Sequence, residues 1–418
     1  MTMTKLNKKI LSGSLIFFAL SGVTAVLNYG FYPIMARFAN VATFGEIQFF
    51  ITLLNQFGVG FVVLNILSII ITAESKDKHK YTAELAGLGK LSSIIVAGIA
   101  VIGSAFLIIS QNTFHIQSIW SIFALSLSLL VNIPYIIEIG RLQGEDHFAF
   151  SGVVGIIASL SRIIFATIFV MMGWGAFGAM IGYTIGLIIA YLVSLLKNQR
   201  LEIKNHYFKH YLSDIKRILP RKYVILTTLF SITAITVIST IDVFIAKSNL
   251  SSYMVGQYAG ISTIAKVILA IMEPLTRLSI PAMIDGSKVL VRRYLYTLIG
   301  LIAVCVALIL IFEDFIIRVG FNSNGLMLKG YLPLELLSIA IFSLLMFLCV
   351  VSICRHKLAD AAIGGALLIV GFIVFFYIFR GSPIIYRTLI SEVIVGGLAL
   401  LWLGGRNLKY IFSSSATS

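Results

Sequence analysis

Residues 331–404 read YLPLELLSIAIFSLLMFLCVVSICRHKLADAAIGGALLIVGFIVFFYIFRGSPIIYRTLISEVIVGGLALLWLG. Three apolar blocks stand out, 331–354, 361–379 and 385–404. Each has the length that carries a helix across a hydrocarbon core of about 30 Å at about 1.5 Å per residue. The connector after the first block holds Arg355 and Lys357, and the one after the second is little more than the turn Gly381 to Pro383. Lipid admits only helices or closed barrels, because every backbone N–H and C=O must be satisfied internally. The blocks are continuous rather than alternating with a period of two, so they are helices and not barrel strands.

The same pattern extends back to the N-terminus. Further blocks lie near 10–34, 44–72, 91–110, 119–139, 149–172, 175–196, 223–246, 254–283 and 294–312, which makes twelve expected spans. Composition agrees: of 418 residues 59% are hydrophobic and 12% charged. A soluble domain runs at roughly 45–50% apolar and about 25% charged, so this chain lacks the polar surface to face water all round. The block after the basic N-terminus is too long for a signal-peptide core and reads as the first span. Pro274 and Pro281 sit inside the eighth block and are expected to break its hydrogen-bond ladder.

Charge sets the orientation. Of the 32 Lys and Arg residues, only Arg37, Lys247, Arg318, Lys329, Arg380 and Arg387 fall in connectors on one side, and Arg162, Lys266 and Arg277 fall within spans. All the others lie in connectors on the opposite side, which the positive-inside rule makes cytoplasmic, along with both termini. The formal charge of +15 therefore expresses topology and does not point to nucleic acid. The longest connector, 197–222, is basic and central. It gives an N-terminal six-helix lobe over 1–200, a cytoplasmic linker over 201–222 and a C-terminal six-helix lobe over 223–418.

The halves resemble each other. PIMARFANVATFGEIQFF near the end of span one corresponds to VFIAKSNLSSYMVGQYAG near the end of span seven, pairing Arg37 with Lys247 and Gly45-Glu46 with Gly256-Gln257. Arg141 and Arg355 recur in corresponding connectors. An internal duplication with six spans per half gives parallel repeats. The expected fold is thus an all-α integral membrane bundle of two six-helix lobes related by a pseudo-two-fold along the membrane normal.

Polar side chains concentrate on spans one, two, seven and eight, which implies a hydrophilic lumen lined by them. Asn28 lies on the stripe of span one and Asn55 on that of span two, while Ser262, Lys266, Glu273 and Arg277 share a face of span eight at 100° per residue. A lone hydroxyl in a span usually bonds back to its own helix. A charge at mid-bilayer costs about 2.5–3.5 kcal/mol even on insertion scales, and so marks function or a specific partner. Asp242, Lys266, Glu273 and Arg277 are the leading lumen candidates on that ground. Glu273 with Arg277 can also form an i,i+4 pair that satisfies itself. Arg162 stands alone in span five, facing either the lumen or a bundle partner. Arg37 and Lys247 lie near the outer edge, where snorkelling to headgroups competes with a substrate role. Asp242 and Glu273 are read as holding a coupling proton or Na⁺. No P-loop, Ser-His-Asp set or metal-ligand cluster is readable, and the three cysteines lie in apolar segments without ligand spacing.

Three passages carry a family resemblance: ARFANVATFGEIQFF, GRLQGEDHFAFSGVV and IDVFIAKSNLSSYMVGQYAG. In order and spacing they resemble the polysaccharide-exporter branch of the multidrug/oligosaccharidyl-lipid/polysaccharide superfamily, the Wzx-like flippases of O-antigen type. Glu145-Asp146 departs from the more basic connector expected there. The resemblance implies a flippase of the bacterial inner membrane that moves an undecaprenyl-diphosphate-linked oligosaccharide. Its surroundings would be membrane lipids and other polysaccharide-assembly proteins, and it would use no cofactor beyond a coupling proton or sodium ion. Cations in a low-dielectric lumen suit a diphosphate, which Arg can grip bidentately. A drug/cation antiporter of the same superfamily is the nearest alternative, but it would favour an acidic and aromatic lumen, and the cations Lys266, Arg277 and Arg162 speak against it. A polytopic enzyme such as an O-antigen polymerase would need a large external loop, whereas the longest loop here is internal and basic.

Overall fold

The computed structural model describes residues 3–74, 77–197, 222–284, 287–321 and 326–412. Side chains at some helical positions, including Glu273, Pro274, Arg277 and Pro281, lie outside the described residues, as does the linker over 201–221. Every regular element among the described residues is helical: α1 (Met3–Phe38), α2 (Val41–Glu74), α3 (Lys78–Ile109), α4 (Ile119–Gly144), α5 (Phe148–Met171), α6 (Gly175–Leu195), α7 (Lys222–Ile238), α8 (Ile241–Asn249), α9 (Ser252–Ile284), α10 (Lys288–Ile311), α11 (Glu313–Phe321), α12 (Leu332–Cys354), α13 (Leu358–Ile378) and α14 (Ile384–Phe412). A short 3₁₀ turn, Leu326–Tyr331, leads into α12.

Among the described residues, nine helices are long and apolar enough to cross a membrane alone, and ten if the bent pair α7–α8 counts as one span. The first and eighth expected spans fall on α1 and α9, so each expected span has a helix. α9 runs from Ser252 to Ile284 as one helix, as the block 254–283 predicts, with Pro274 and Pro281 each removing an amide donor within it. One feature differs from the sequence expectation: span seven is broken, and the segments Leu226–Ile238 and Ile241–Asn249 meet at 43°. Thr240 Oγ1 donates to Thr236 O at 2.7 Å and Ser239 Oγ to the same carbonyl at 3.1 Å, so hydroxyls satisfy a carbonyl that the bend strips of its helical partner.

The chain forms two compact units, Met1–Thr43 with Leu53–Pro220, and Phe44–Thr52 with Arg221–Ser418. In the first, α5 packs on α1 and α6, while α4 packs on α6 and α3. The α5–α6 contact depends on absent side chains: a Cβ on Gly182 would lie 2.2 Å from Ala166 N, and one on Gly186 2.7 Å from Arg162 N. Small residues let helix backbones approach closely where no hydrophobic force drives them together in lipid. In the second unit α12 is central, packing on α9 and α14, while α13 lies against α7 and α14. Inside that unit the two glycines of the internal repeat meet, since a Cβ on Gly45 would lie 2.8 Å from Gly256 N.

Candidate functional site

Two polar constellations form, one in each unit, the first half-buried and the second buried. The first centres on Arg162 of α5. Its Nη2 donates to Asn28 Oδ1 on α1, which also accepts from Ser159 Oγ at 2.6 Å. The guanidinium lies 4.7 Å from the centroid of the Tyr183 ring and 5.6 Å from that of Phe31. Tyr32 and Tyr135 complete an aromatic surround, with Asn55 near Tyr32. Gly186 lets α6 close on the Arg162 backbone, which brings Tyr183 over the guanidinium. Among the described residues no carboxylate pairs with Arg162, and its Nε is buried without a hydrogen-bond partner. A guanidinium carries five N–H donors in a planar fork, and an amide oxygen with two rings leaves much of that capacity unused.

The second constellation follows from the bend in span seven. Asp242 sits in the first turn of α8, where the helix dipole favours negative charge, and is fully buried. α9 presents Tyr258, Ser262 and Lys266 at i, i+4 and i+8 on one face. Lys266 Nζ donates to Asp242 Oδ1 at 3.0 Å and Oδ2 at 3.2 Å, and to Ser262 Oγ at 2.6 Å. α12 contributes Glu335, and α14 contributes Glu392, whose Oε2 accepts from Ser338 Oγ at 2.8 Å. All three acids are at most 1% exposed.

Four hydroxyl–carboxylate contacts link Asp242 and Glu335. Tyr258 OH lies 2.9 Å from Asp242 Oδ2 and 3.0 Å from Glu335 Oε2. Ser262 Oγ lies 2.9 Å from Asp242 Oδ2 and 3.2 Å from Glu335 Oε1. Each hydroxyl owns one hydrogen yet touches two carboxylate oxygens. Two hydroxyl hydrogens cannot serve four such contacts, so the cluster has room for protons shared among its acids. Both Asp242 oxygens face the Lys266 ammonium. Glu392 Oε1 has no hydrogen-bond partner among the described residues. A buried carboxylate in that state would be far costlier than a carboxylic acid. One ammonium and three acids are electroneutral with two protons aboard.

The remaining expected residues are placed as follows. Lys247 is buried in the last turn of α8 beside Glu46. Arg37 lies exposed in the last turn of α1, and Asn55 is exposed on α2. The side chains of Glu273 and Arg277 lie outside the described residues. The structure therefore brings together Asn28 with Arg162, and Asp242 with Lys266. Glu335 and Glu392 were missed in the sequence. Each is a single acid in an apolar run, LPLELLSIA and LISEVIVGG, and the cost argument applied to Asp242 would have flagged both.

No protein-family model matches the chain, and no curated protein matches it. Solved structures do. The lipid II flippase MurJ in an inward closed conformation superposes with a TM-score of 0.69 at 12% identity, over 95% of this chain and 89% of that one. An inward-facing multidrug resistance MATE family transporter of the MOP superfamily gives 0.66 at 13% identity, over 96% and 99%. A point mutant of the Vibrio cholerae MATE transporter VcmN gives 0.59 at 16%, over 98% and 99%. The fold is that of these transporters. At such identities the likeness carries the architecture and leaves the cargo to the chemistry of the chain's own residues.

Proposed function

We propose that the chain is a flippase that moves a lipid-linked oligosaccharide, carried on undecaprenyl diphosphate, across the bacterial inner membrane by alternating access, with both termini in the cytoplasm. The observation that carries this reading is Arg162: an intramembrane guanidinium with no carboxylate partner among the described residues and an unused buried Nε. A charge is retained in that setting when it has a task, and the task a planar fork performs best is to grip a phosphate oxygen pair. The tyrosines around it offer ring faces and hydroxyls to sugar. A lipid II flippase shares the fold, so a lipid-linked cargo is compatible with this architecture. The working surroundings are membrane lipids and other polysaccharide-assembly proteins.

The C-terminal constellation supplies the coupling. Asp242 keeps its charge on Lys266, while Glu335 and Glu392 hold protons that can leave and return as helices move. The coupled ion is then a proton, and no other cofactor is needed. The same acids favour the second reading, a proton-coupled exporter of organic cations, since the fold is shared with MATE transporters. Deleting the gene separates the two. The flippase reading expects surface glycan to be lost and its lipid-linked precursor to accumulate, with rescue by the wild type and not by Arg162→Ala. Intact glycan together with new sensitivity to cationic drugs would overturn it in favour of the antiporter.

A further inference from the structure

The second unit also holds a cavity of about 640 Å³ away from both constellations, at the end of the bundle that the charge pattern assigns to the cytoplasm. Its wall contains Arg355, Lys357, Arg406 and Lys409 together with Trp402 and Tyr410. The nearest acid, Asp360, reaches only Arg406, at 3.8 Å. Lys357 and Lys409 are exposed, with no ion pair among the described residues. Four cations against one carboxylate leave a strong excess of positive charge in one concavity, which an anion would relieve.

The wall is built rather than merely charged. The Arg355 guanidinium stacks 3.6 Å from the centroid of the Tyr410 ring, and its Nη1 donates to Asn407 Oδ1 at 3.2 Å. Asn407 is buried and is itself anchored, donating to Ser352 Oγ at 2.7 Å and Leu403 O at 2.9 Å. Arg406 lies 4.9 Å from the centroid of the Trp402 ring. Two guanidiniums are therefore oriented by aromatic faces, as recognition of an oxyanion requires. The cavity also opens onto exposed apolar surface: Leu401 lines it at 74% exposure, and Leu398 lies three residues earlier on α14 at 46%. A soluble anion would use only the cations, whereas a phospholipid would use both the cations and the apolar face.

We infer that this cavity binds the phosphodiester headgroup of an anionic membrane phospholipid, with its acyl chains along the outer face of α14. The site is independent of the cargo and needs only that the chain sits in a bilayer. Basic pockets on the cytoplasmic side of helical membrane proteins hold such headgroups, and each Lys or Arg near an anionic surface contributes about 1 kcal/mol. Removing three cations should weaken binding on the order of 100-fold, at about 1.4 kcal/mol per tenfold.

The test uses the full chain purified in detergent and exposed to mixed phosphatidylglycerol and phosphatidylcholine micelles, with retained lipid counted by native mass spectrometry. The wild type should retain phosphatidylglycerol in preference. The variant Lys357→Gln, Arg406→Gln, Lys409→Gln should lose that preference while keeping its elution volume and melting temperature, because the three side chains are at the surface. Arg355 is left in place, since it also packs α14. Retained preference in the triple variant would overturn the site. Displacement of phosphatidylglycerol by millimolar inorganic pyrophosphate would overturn the lipid assignment and identify a site for a free phosphate anion.

Discussion

Replacing Asp242 by Asn and, separately, Glu335 by Gln should have very different costs, although both changes neutralise a buried acid in one cluster. Lys266 Nζ stands 3.0 Å from Asp242 Oδ1. At an effective dielectric constant of about 20, that separation is worth roughly 5.5 kcal/mol of attraction. Asp242→Asn leaves the ammonium buried without its counter-ion, and breaking a buried pair from one side costs about 3–5 kcal/mol. With the proposed proton on Glu335, Glu335→Gln replaces a neutral carboxyl by a neutral amide of the same shape. Its NH₂ can donate to Tyr258 as the carboxyl O–H does, and its carbonyl can accept from Ser262, so the expected cost is below about 1 kcal/mol. Thermal unfolding of both variants in the same detergent reads the difference. Adding Lys266→Met to Asp242→Asn should recover part of the loss, because no charge is then left unpaired. If Glu335→Gln destabilises as much as Asp242→Asn, Glu335 is an ionised partner of Lys266 and the proton proposed on it is not there.

Other expectations follow from single contacts. Burial works to raise the Glu145 carboxyl, but the Tyr81 hydroxyl at 2.6 Å and the Arg141 guanidinium outweigh it and hold the group below the usual carboxylate range. A depressed acid adds stability that is present above its unfolded value of about 4.3 and is lost as pH falls through the lower folded value. Glu145→Gln should therefore flatten that acid limb, and an unchanged acid melting profile would count against the network. Gly182→Ala must push α6 off the Ala166 backbone, and a loss of about 1–3 kcal/mol is expected by thermal unfolding. Reporter fusions after Lys80, Lys209 and Ser413 should all read cytoplasmic, and an external signal at Lys209 would break the even span count.

The helices were legible in the sequence because apolar length is a local property: each block that predicts a span lands on a helix. The bend between Ile238 and Ile241 was not, because Ser239 and Thr240 are also ordinary residues of an unbroken transmembrane helix. Pro274 and Pro281 fall inside one helix, α9, as the apolar length of the eighth block implies. For the site, the cost of a buried charge singled out Asp242, Lys266 and Arg162. Their partners depend on packing between helices far apart in the chain: Arg162 meets Asn28 across 134 positions and Lys266 meets Asp242 across 24. Glu335 and Glu392 join the cluster only because α12 is wrapped by α9 and α14, a relation that no local pattern encodes.

The most direct test of the flippase account is translocation in reconstituted vesicles. Undecaprenyl-diphosphate oligosaccharide placed in one leaflet is followed by its accessibility to an added lectin, with and without an inward proton gradient. The account predicts gradient-dependent movement by the wild type, partial movement by Arg162→Lys, which keeps charge without the planar fork, and movement near the protein-free rate for Arg162→Ala. Wild-type rates in the Arg162→Ala variant, at equal insertion and stability, would show that no diphosphate is held there and would contradict it.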